Sequence, residues 1–234
     1  MKINELKNPS QLKNLDIKEL NELCEEIRTF LIENISRTGG HLASNLGVVE
    51  LSVAIHKVFD SPSDKIIFDV GHQSYVHKIL TGRANRFYTL RQYKGLSGFQ
   101  KRAESEHDCY EAGHSSTALS SALGFAMARD YNHEQHQVVA VVGDASLMSG
   151  ISLEALNTIG ERQSKMIIIL NDNGMSISKN VGALSDTLTK MRTSEVYNRT
   201  KQVVSSSLRK NKAGQNLYHT ISNIKNSVKR NVVE

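Results

Sequence analysis

Asp144 and the trio Asn171-Asp172-Asn173 are the residues of this chain best placed to do chemistry. Each stands at the end of an apolar run of strand length, Val138 to Val142 and Met166 to Leu170. A carboxylate and a carboxamide brought together suit a hard divalent cation such as Mg²⁺, which takes oxygen ligands octahedrally and shares them with ligand phosphates. The stretch between the runs, Ser149 to Gly160, is long enough for one crossover helix. The pattern therefore predicts a βαβ unit whose two parallel strands are adjacent or nearly so. Both polar clusters then lie at the carboxyl ends of the strands, where open α/β sheets bind ligands. Two such clusters flanking one crossover are less often accidental than a single polar turn.

Three more segments carry reactive or anion-binding side chains. His41 sits in the glycine-flanked loop Gly39-Gly40-His41-Leu42-Ala43-Ser44-Asn45-Leu46-Gly47. An imidazole there is able to move protons near neutral pH, although on local sequence alone it reads as a structural histidine. His72 lies in Asp69-Val70-Gly71-His72-Gln73, after the apolar run Lys65 to Val70, again at the ligand-binding end of a strand. Gly113-His114-Ser115-Ser116-Thr117 opens a helix. Its free N–H groups, the helix dipole and three hydroxyls make an anion site, unless the hydroxyls only cap the helix.

The elements that must position these residues are legible from periodicity. Asp16 to Ser36 reads as an amphipathic helix with Leu20, Leu23, Ile27, Phe30 and Leu31 at helical spacing, ended by Gly39-Gly40. Val48 to Phe59 and Tyr75 to Leu80 read as shorter helices. Ser115 to Arg129 reads as a helix with Leu119, Ala122, Leu123, Ala126 and Met127 on one face. Arg83 to Glu111 has no clear period and reads as a long loop, a class that is usually functional inside a compact domain. Val138 to Val142 and Met166 to Leu170, apolar throughout, should be central strands. The expected fold class is α/β, a mostly parallel sheet with helices on both faces. Residues 1–185 are expected to form the α/β domain and 186–234 a basic helical extension; after Ser178 the pattern reads as three polar helices, Val181 to Met191, Glu195 to Lys210 and Leu217 to Val232.

Composition narrows the class. The chain has 234 residues, 39% of them hydrophobic, and no Trp. It has no apolar run long enough to span a membrane and no signal-peptide core near Met1. Two cysteines, Cys24 and Cys109, do not make a disulfide framework, which favours a reducing cytoplasm. From Asp186 onward there are ten Lys/Arg against three Asp/Glu, while the first 185 residues carry 19 against 21. The basic tail reads first as a solvated helical face and next as a dock for an acidic partner surface. A nucleic-acid role is disfavoured, because Tyr197 and Tyr218 are its only aromatics and no recognition motif accompanies them.

Taken together, GGHLASNLGVVEL, DVGHQSYVHKILTGR, ESEHDCYEAGHSST, VVGDA and LNDNGMSISKNVGALS resemble the 1-deoxy-D-xylulose-5-phosphate synthases. These are thiamine-diphosphate enzymes of the transketolase superfamily. The resemblance runs over nearly the whole chain, more weakly after Met191, and favours the synthase over transketolase proper. It implies a thiamine-diphosphate-binding fold and a transferase of isoprenoid and thiamine biosynthesis that joins pyruvate to glyceraldehyde 3-phosphate with release of CO₂. It implies Asp144 and Asn173 as side-chain ligands of Mg²⁺, with the backbone carbonyl of Met175 as a third. It implies His72, Gly113, His114, Ser115, Ala145 and Ser146 as cofactor-lining residues. His41 matches a histidine that handles protons, and with His72 it makes the catalytic pair.

This chain also departs from the pattern. Ala145 replaces the second glycine of the family's Gly-Asp-Gly, which would weaken cofactor binding if that position needs a positive φ. Gly174 stands where the family usually has Glu, and Ser152-Leu153 is a milder change. The family's enzymes have three domains, and the glutamate that activates the aminopyrimidine belongs to the second. The chain is therefore expected to be inactive alone and to need a chain supplying the pyrimidine-binding and C-terminal domains, or to pair as a homodimer. It reads as half of a two-chain synthase, as a truncated product, as the N-terminal subunit of a split transketolase, or as an interaction module keeping the fold. A domain that docks such a partner should expose apolar surface around His41 to Leu46, His72 and Tyr93 to Glu111.

Overall fold

The computed structural model describes residues 2–172. Asn173, Gly174 and Met175, the proposed helices of the basic extension and the boundary after residue 185 lie outside the described residues.

The N-terminal third is helical. Helix α1 (Ile17–Thr38) starts on a reciprocal cap in which the Asp16 carboxylate accepts from the Glu19 N–H and the Glu19 side chain from the Asp16 N–H. It buries Leu23, Ile27, Leu31 and Ile35, one turn apart. Gly39, at φ 75°, ends it. Two short helices follow, α2 (Leu42–Leu46) and α3 (Val49–Val58). After strand β1 (Lys65–Phe68) comes α4 (Tyr75–Lys78), which runs into a kinked turn at Ile79–Arg83. Tyr75, Val76, Ile79, Leu80 and Phe87 pack with the buried face of α1 into one core. Each large aliphatic fully buried there contributes roughly 1.5–3 kcal/mol.

Helix α5 (Ala118–Tyr131) leads to strand β2 (Val138–Gly143), the short α6 (Asp144–Leu147), the crossover helix α7 (Gly150–Arg162) and strand β3 (Ile167–Asn171). The three strands form one parallel sheet in the order β1-β2-β3, with Phe68 opposite Val141 and Gly143 opposite Asn171. The expected βαβ unit is thus present, and its strands are direct neighbours. On one face Ile55 of α3 packs with Ile66, Phe68 and Val141. Helix α5 packs on β1 and β2 and against α7, with Ala118, Ala122 and Ala126 buried. The sheet is covered from both sides, which is the expected α/β class.

Three expectations need correction. Strand β2 is central and its apolar run is fully buried, but β3 is the edge strand among the described residues, and Ile167 and Leu170 are 37% and 40% exposed. An apolar run records that a strand is meant to be covered, not what covers it. Met127, placed on the inner face of α5, is 40% exposed; the small alanines bring α5 close to the sheet and do the packing instead. Helix α5 also begins three residues later than its pattern suggested, for a reason that belongs to the site. No helix among the described residues is long and apolar enough to cross a membrane.

Candidate functional site

The site is assembled from the turns that follow the three strands. After β1 the chain reverses sharply: Val70 and Gly71 have φ of 62° and 84°. A β-branched residue in that region costs about 1–3 kcal/mol and marks a turn that its surroundings enforce. A Cβ at Gly71 would stand 3.0 Å from the Gln100 backbone N, so only glycine fits. The buried Asp69 carboxylate accepts from the N–H groups of Ser116 (2.9 Å) and Ala118 (3.1 Å). These bonds set the start of α5 and leave fewer free N–H groups there than the sequence suggested. Two of the N–H groups at that helix start are already taken by a carboxylate of the chain. Gly113, His114 and Ser115 precede them and are exposed.

His41 and His72 stand together. Their ring centroids are 5.5 Å apart, edge to face. Both loops are pinned by Asn45, which is wholly buried: its Nδ2 donates to the carbonyls of His41 (2.7 Å) and His72 (2.8 Å), and its Oδ1 accepts from the Tyr75 N–H (2.8 Å). The Tyr75 hydroxyl lies 3.4 Å from His41 Nδ1. Burial, then the Arg91 charge, pushes the His41 pKa down; burial, then His41 itself, does the same for His72, against the pull of Asp69. Both imidazoles are therefore neutral at pH 7, the form that accepts a proton.

At the end of β2, Asp144 is the first residue of α6. Ala145 follows inside that helix and is not among the residues of positive φ. Its methyl group is thus compatible with this backbone conformation. Ser152, on α7, is fully buried and its Oγ lies within hydrogen-bond distance of the carbonyls of Ser146 (2.8 Å) and Ser116 (3.2 Å), which share its one proton. It ties the turn after Asp144 to the Gly113–Thr117 loop. At the end of β3, Asn171 Nδ2 donates to Gln73 Oε1 (3.4 Å). That contact crosses the end of β2, because Gly143 is the strand partner of Asn171.

The long loop is strapped down from beneath. Gln100 completes the outer edge of β1, accepting from the Phe68 N–H (3.0 Å) and donating to the Ile66 carbonyl (3.3 Å). Asp108 takes two bonds from Arg83 and one from the Lys101 N–H, and Glu104 pairs with Lys78. Phe99 is thereby held beside Gly71 and Gly113, its ring 6.3 Å from that of His41.

The family model described as 1-deoxy-D-xylulose-5-phosphate synthase matches residues 3–234. The 1-deoxy-D-xylulose-5-phosphate synthase of Macrococcus caseolyticus is 55% identical over 233 residues, 100% of this chain and 37% of that protein. That of Bacillus cytotoxicus is 56% identical over 230 residues, 98% of this chain and 36% of the relative. The Caldanaerobacter subterraneus enzyme is 55% identical over 232 residues, with 99% and 37% covered.

The chain belongs to the 1-deoxy-D-xylulose-5-phosphate synthase family.

It spans little more than a third of the length of these synthases. Of the synthase-like residues singled out from sequence, the structure puts His72 on the turn after β1 with His41 beside it, Asp144, Ala145 and Ser146 in α6 after β2, and Gly113, His114 and Ser115 on the loop before α5; Asn173 and Met175 lie outside the described residues. Among the described residues no three His, Cys, Asp or Glu side chains converge as a metal site. Sequence reasoning missed the residues that hold the site together: Asn45, Asp69, Gln73, Gln100 and Ser152. Asn45, Asp69 and Gln73 stood inside quoted motifs; their burial, the one sign of their role, is not readable without the fold. The expected apolar face is only partly present. Tyr93 is exposed in the predicted loop, but Ile151, Leu153, Ile167 and Leu170 on α7 and β3 are exposed too. Both cysteines are buried or half-buried thiols whose pKa burial pushes up, to about 12 for Cys24 and about 11 for Cys109, so neither is a nucleophile at neutral pH.

Proposed function

We propose that this chain is the thiamine-diphosphate- and Mg²⁺-binding part of a cytoplasmic 1-deoxy-D-xylulose-5-phosphate synthase. The reaction joins pyruvate and glyceraldehyde 3-phosphate with loss of CO₂, in isoprenoid and thiamine biosynthesis. The observation that carries this reading is the gathering of the His41, His72, Gly113–Ser115 and Asp144 turns at the carboxyl ends of three parallel strands. That is where such sheets take phosphate-bearing ligands.

The residues fit the cofactor. His72 Nδ1 and Gln73 Nε2 are buried polar atoms with no partner among the described residues, beside the end of β2 that Asp144 follows, and the Ala145 backbone accepts its methyl group. Asp144, with Asn173 and the Met175 carbonyl, would hold Mg²⁺ through oxygen ligands. His72, Gly113, His114, Ser115, Ala145 and Ser146 would line the diphosphate. Thiamine diphosphate supplies the electron sink for carbon–carbon bond formation. His41, neutral and within 5.5 Å of the His72 ring, would take up or return a proton on the substrate side. Pyrimidine-ring contacts would come from a further domain, on another chain or across a homodimer. The relatives are synthases, and no observation favours the transketolase reading.

Calorimetric titration of the 234-residue chain with thiamine diphosphate tests this. Binding that requires MgCl₂ is expected. No binding at any Mg²⁺ concentration would sink the reading.

A further inference from the structure

Gln73 is a buried amide whose hydrogen bonds are half made. The residue is 3% exposed. Its Oε1 is engaged by Asn171 Nδ2 at 3.4 Å, while its Nε2 is buried and meets no acceptor among the described residues. A buried donor left unsatisfied costs about 1–3 kcal/mol, and such atoms are rare in folded proteins. The cost falls at one place on the sheet. The amide must lie over the end of β2, since it reaches Asn171 on β3 from the turn after β1 and Asn171 is the strand partner of Gly143. Asp144 is the next residue. The neighbouring His72 Nδ1 is a second buried polar atom without a partner among the described residues, on the same turn. Two spare atoms on one turn, next to the strand end from which Asp144 follows, are what a ligand oxygen would complete.

We infer that Gln73 is a ligand-binding residue, its carboxamide Nε2 donating to an anionic oxygen of a diphosphate held at the strand ends. This deepens the proposed function and rests on it. Gln73 sits rigidly: its turn is fixed by Gly71 and by the Asn45 bond to the His72 carbonyl. The donor is thus held in place before the ligand arrives, and little ordering entropy remains to be lost on binding.

The experiment compares wild type, Gln73→Met and Gln73→Glu by thermal melting and by calorimetry with thiamine diphosphate plus MgCl₂. Inorganic pyrophosphate plus MgCl₂ serves as a second probe for the diphosphate end alone. Methionine keeps the volume and removes the spare donor, so the melting temperature of the ligand-free variant should hold or rise. Its dissociation constants for both probes should weaken about tenfold, about 1.4 kcal/mol. Glutamate puts an acceptor and a charge against the anion and should weaken binding further than methionine does. A fall in the ligand-free melting temperature of Gln73→Met in step with its affinity would make the residue structural and overturn the inference. Affinities within twofold of wild type would overturn it as well, while leaving the proposed function standing. Wild type that binds neither probe would bring down both.

Discussion

His56 and His77 meet ring to ring, Nε2 to Nδ1 at 2.9 Å, inside a line that runs from the Ser52 carbonyl to the Asp108 carboxylate. The line joins α3, α4 and the long loop beneath the candidate site, and both imidazoles are fully buried. Burial, followed by the charge of His77, pushes the His56 pKa down to about 3; burial lowers that of His77 too, against the pull of Asp108. Such a base stabilises the fold fully above its unfolded pKa near 6.5, and that stability is lost as pH falls toward the folded value. Asp108 acts in the same sense at lower pH. Burial raises its pKa, but the bonds from His77 and Arg83 outweigh that and hold the carboxyl well below the usual range. The melting temperature should therefore be level from pH 7 to 8 and fall below pH 6.5, with about 1.4 kcal/mol lost per pH unit for each such imidazole. In His56→Gln the fall should be shallower. An identical slope in the variant would refute the assignment.

Asn45→Ala should destabilise the fold by about 3 kcal/mol in urea unfolding. It leaves the His41 and His72 carbonyls and the Tyr75 N–H without their partner, and each such group costs about 1–3 kcal/mol before water re-enters. Asn45→Asp should be worse, because a carboxylate would then face two carbonyl oxygens. A loss under about 0.5 kcal/mol for either variant would show that the two loops are held by something else.

Asp108→Ala should cost more than Asn45→Ala, about 3–5 kcal/mol, since Arg83 would keep its charge in the interior with only Glu104, 3.5 Å away, as a carboxylate partner. Arg83→Met combined with Asp108→Leu should recover part of that loss. Unfolding of the three proteins in guanidinium checks both statements. A double variant no more stable than Asp108→Ala would contradict them.

Asp144→Ala should abolish Mg²⁺-dependent binding of thiamine diphosphate in calorimetry and leave the far-ultraviolet circular dichroism unchanged. Asp144 lies at the open end of β2, and α6, which it begins, is a single turn. Binding of unchanged affinity would place the metal elsewhere.

The 234 residues by themselves should give no deoxyxylulose phosphate from pyruvate and glyceraldehyde 3-phosphate. Holding a diphosphate contributes to rate only if the interaction strengthens in the transition state. The proton relay through the aminopyrimidine ring is not assigned to any residue described above. Turnover should follow addition of a chain carrying the pyrimidine-binding domain of a relative. Product formation by the purified chain, free of any partner, would show that the acid–base group lies within these residues.

The sequence by itself determined the parallel strand pair, the crossover between its strands and the family. Those depend on period, on apolar run length and on motifs read along the chain, such as Val138 to Val142 ending at Asp144. It also placed His72 and Asp144 just past the carboxyl ends of their strands. Only the tertiary structure decided which polar residues hold those turns together. Asn45, Asp69, Gln100 and Ser152 act on backbone groups 27 to 49 residues away, and no local pattern encodes a partner at that distance. Tertiary structure also decided that Met166 to Leu170 gives an edge strand among the described residues, because an apolar run sets the demand for burial while the neighbouring elements determine whether it is met.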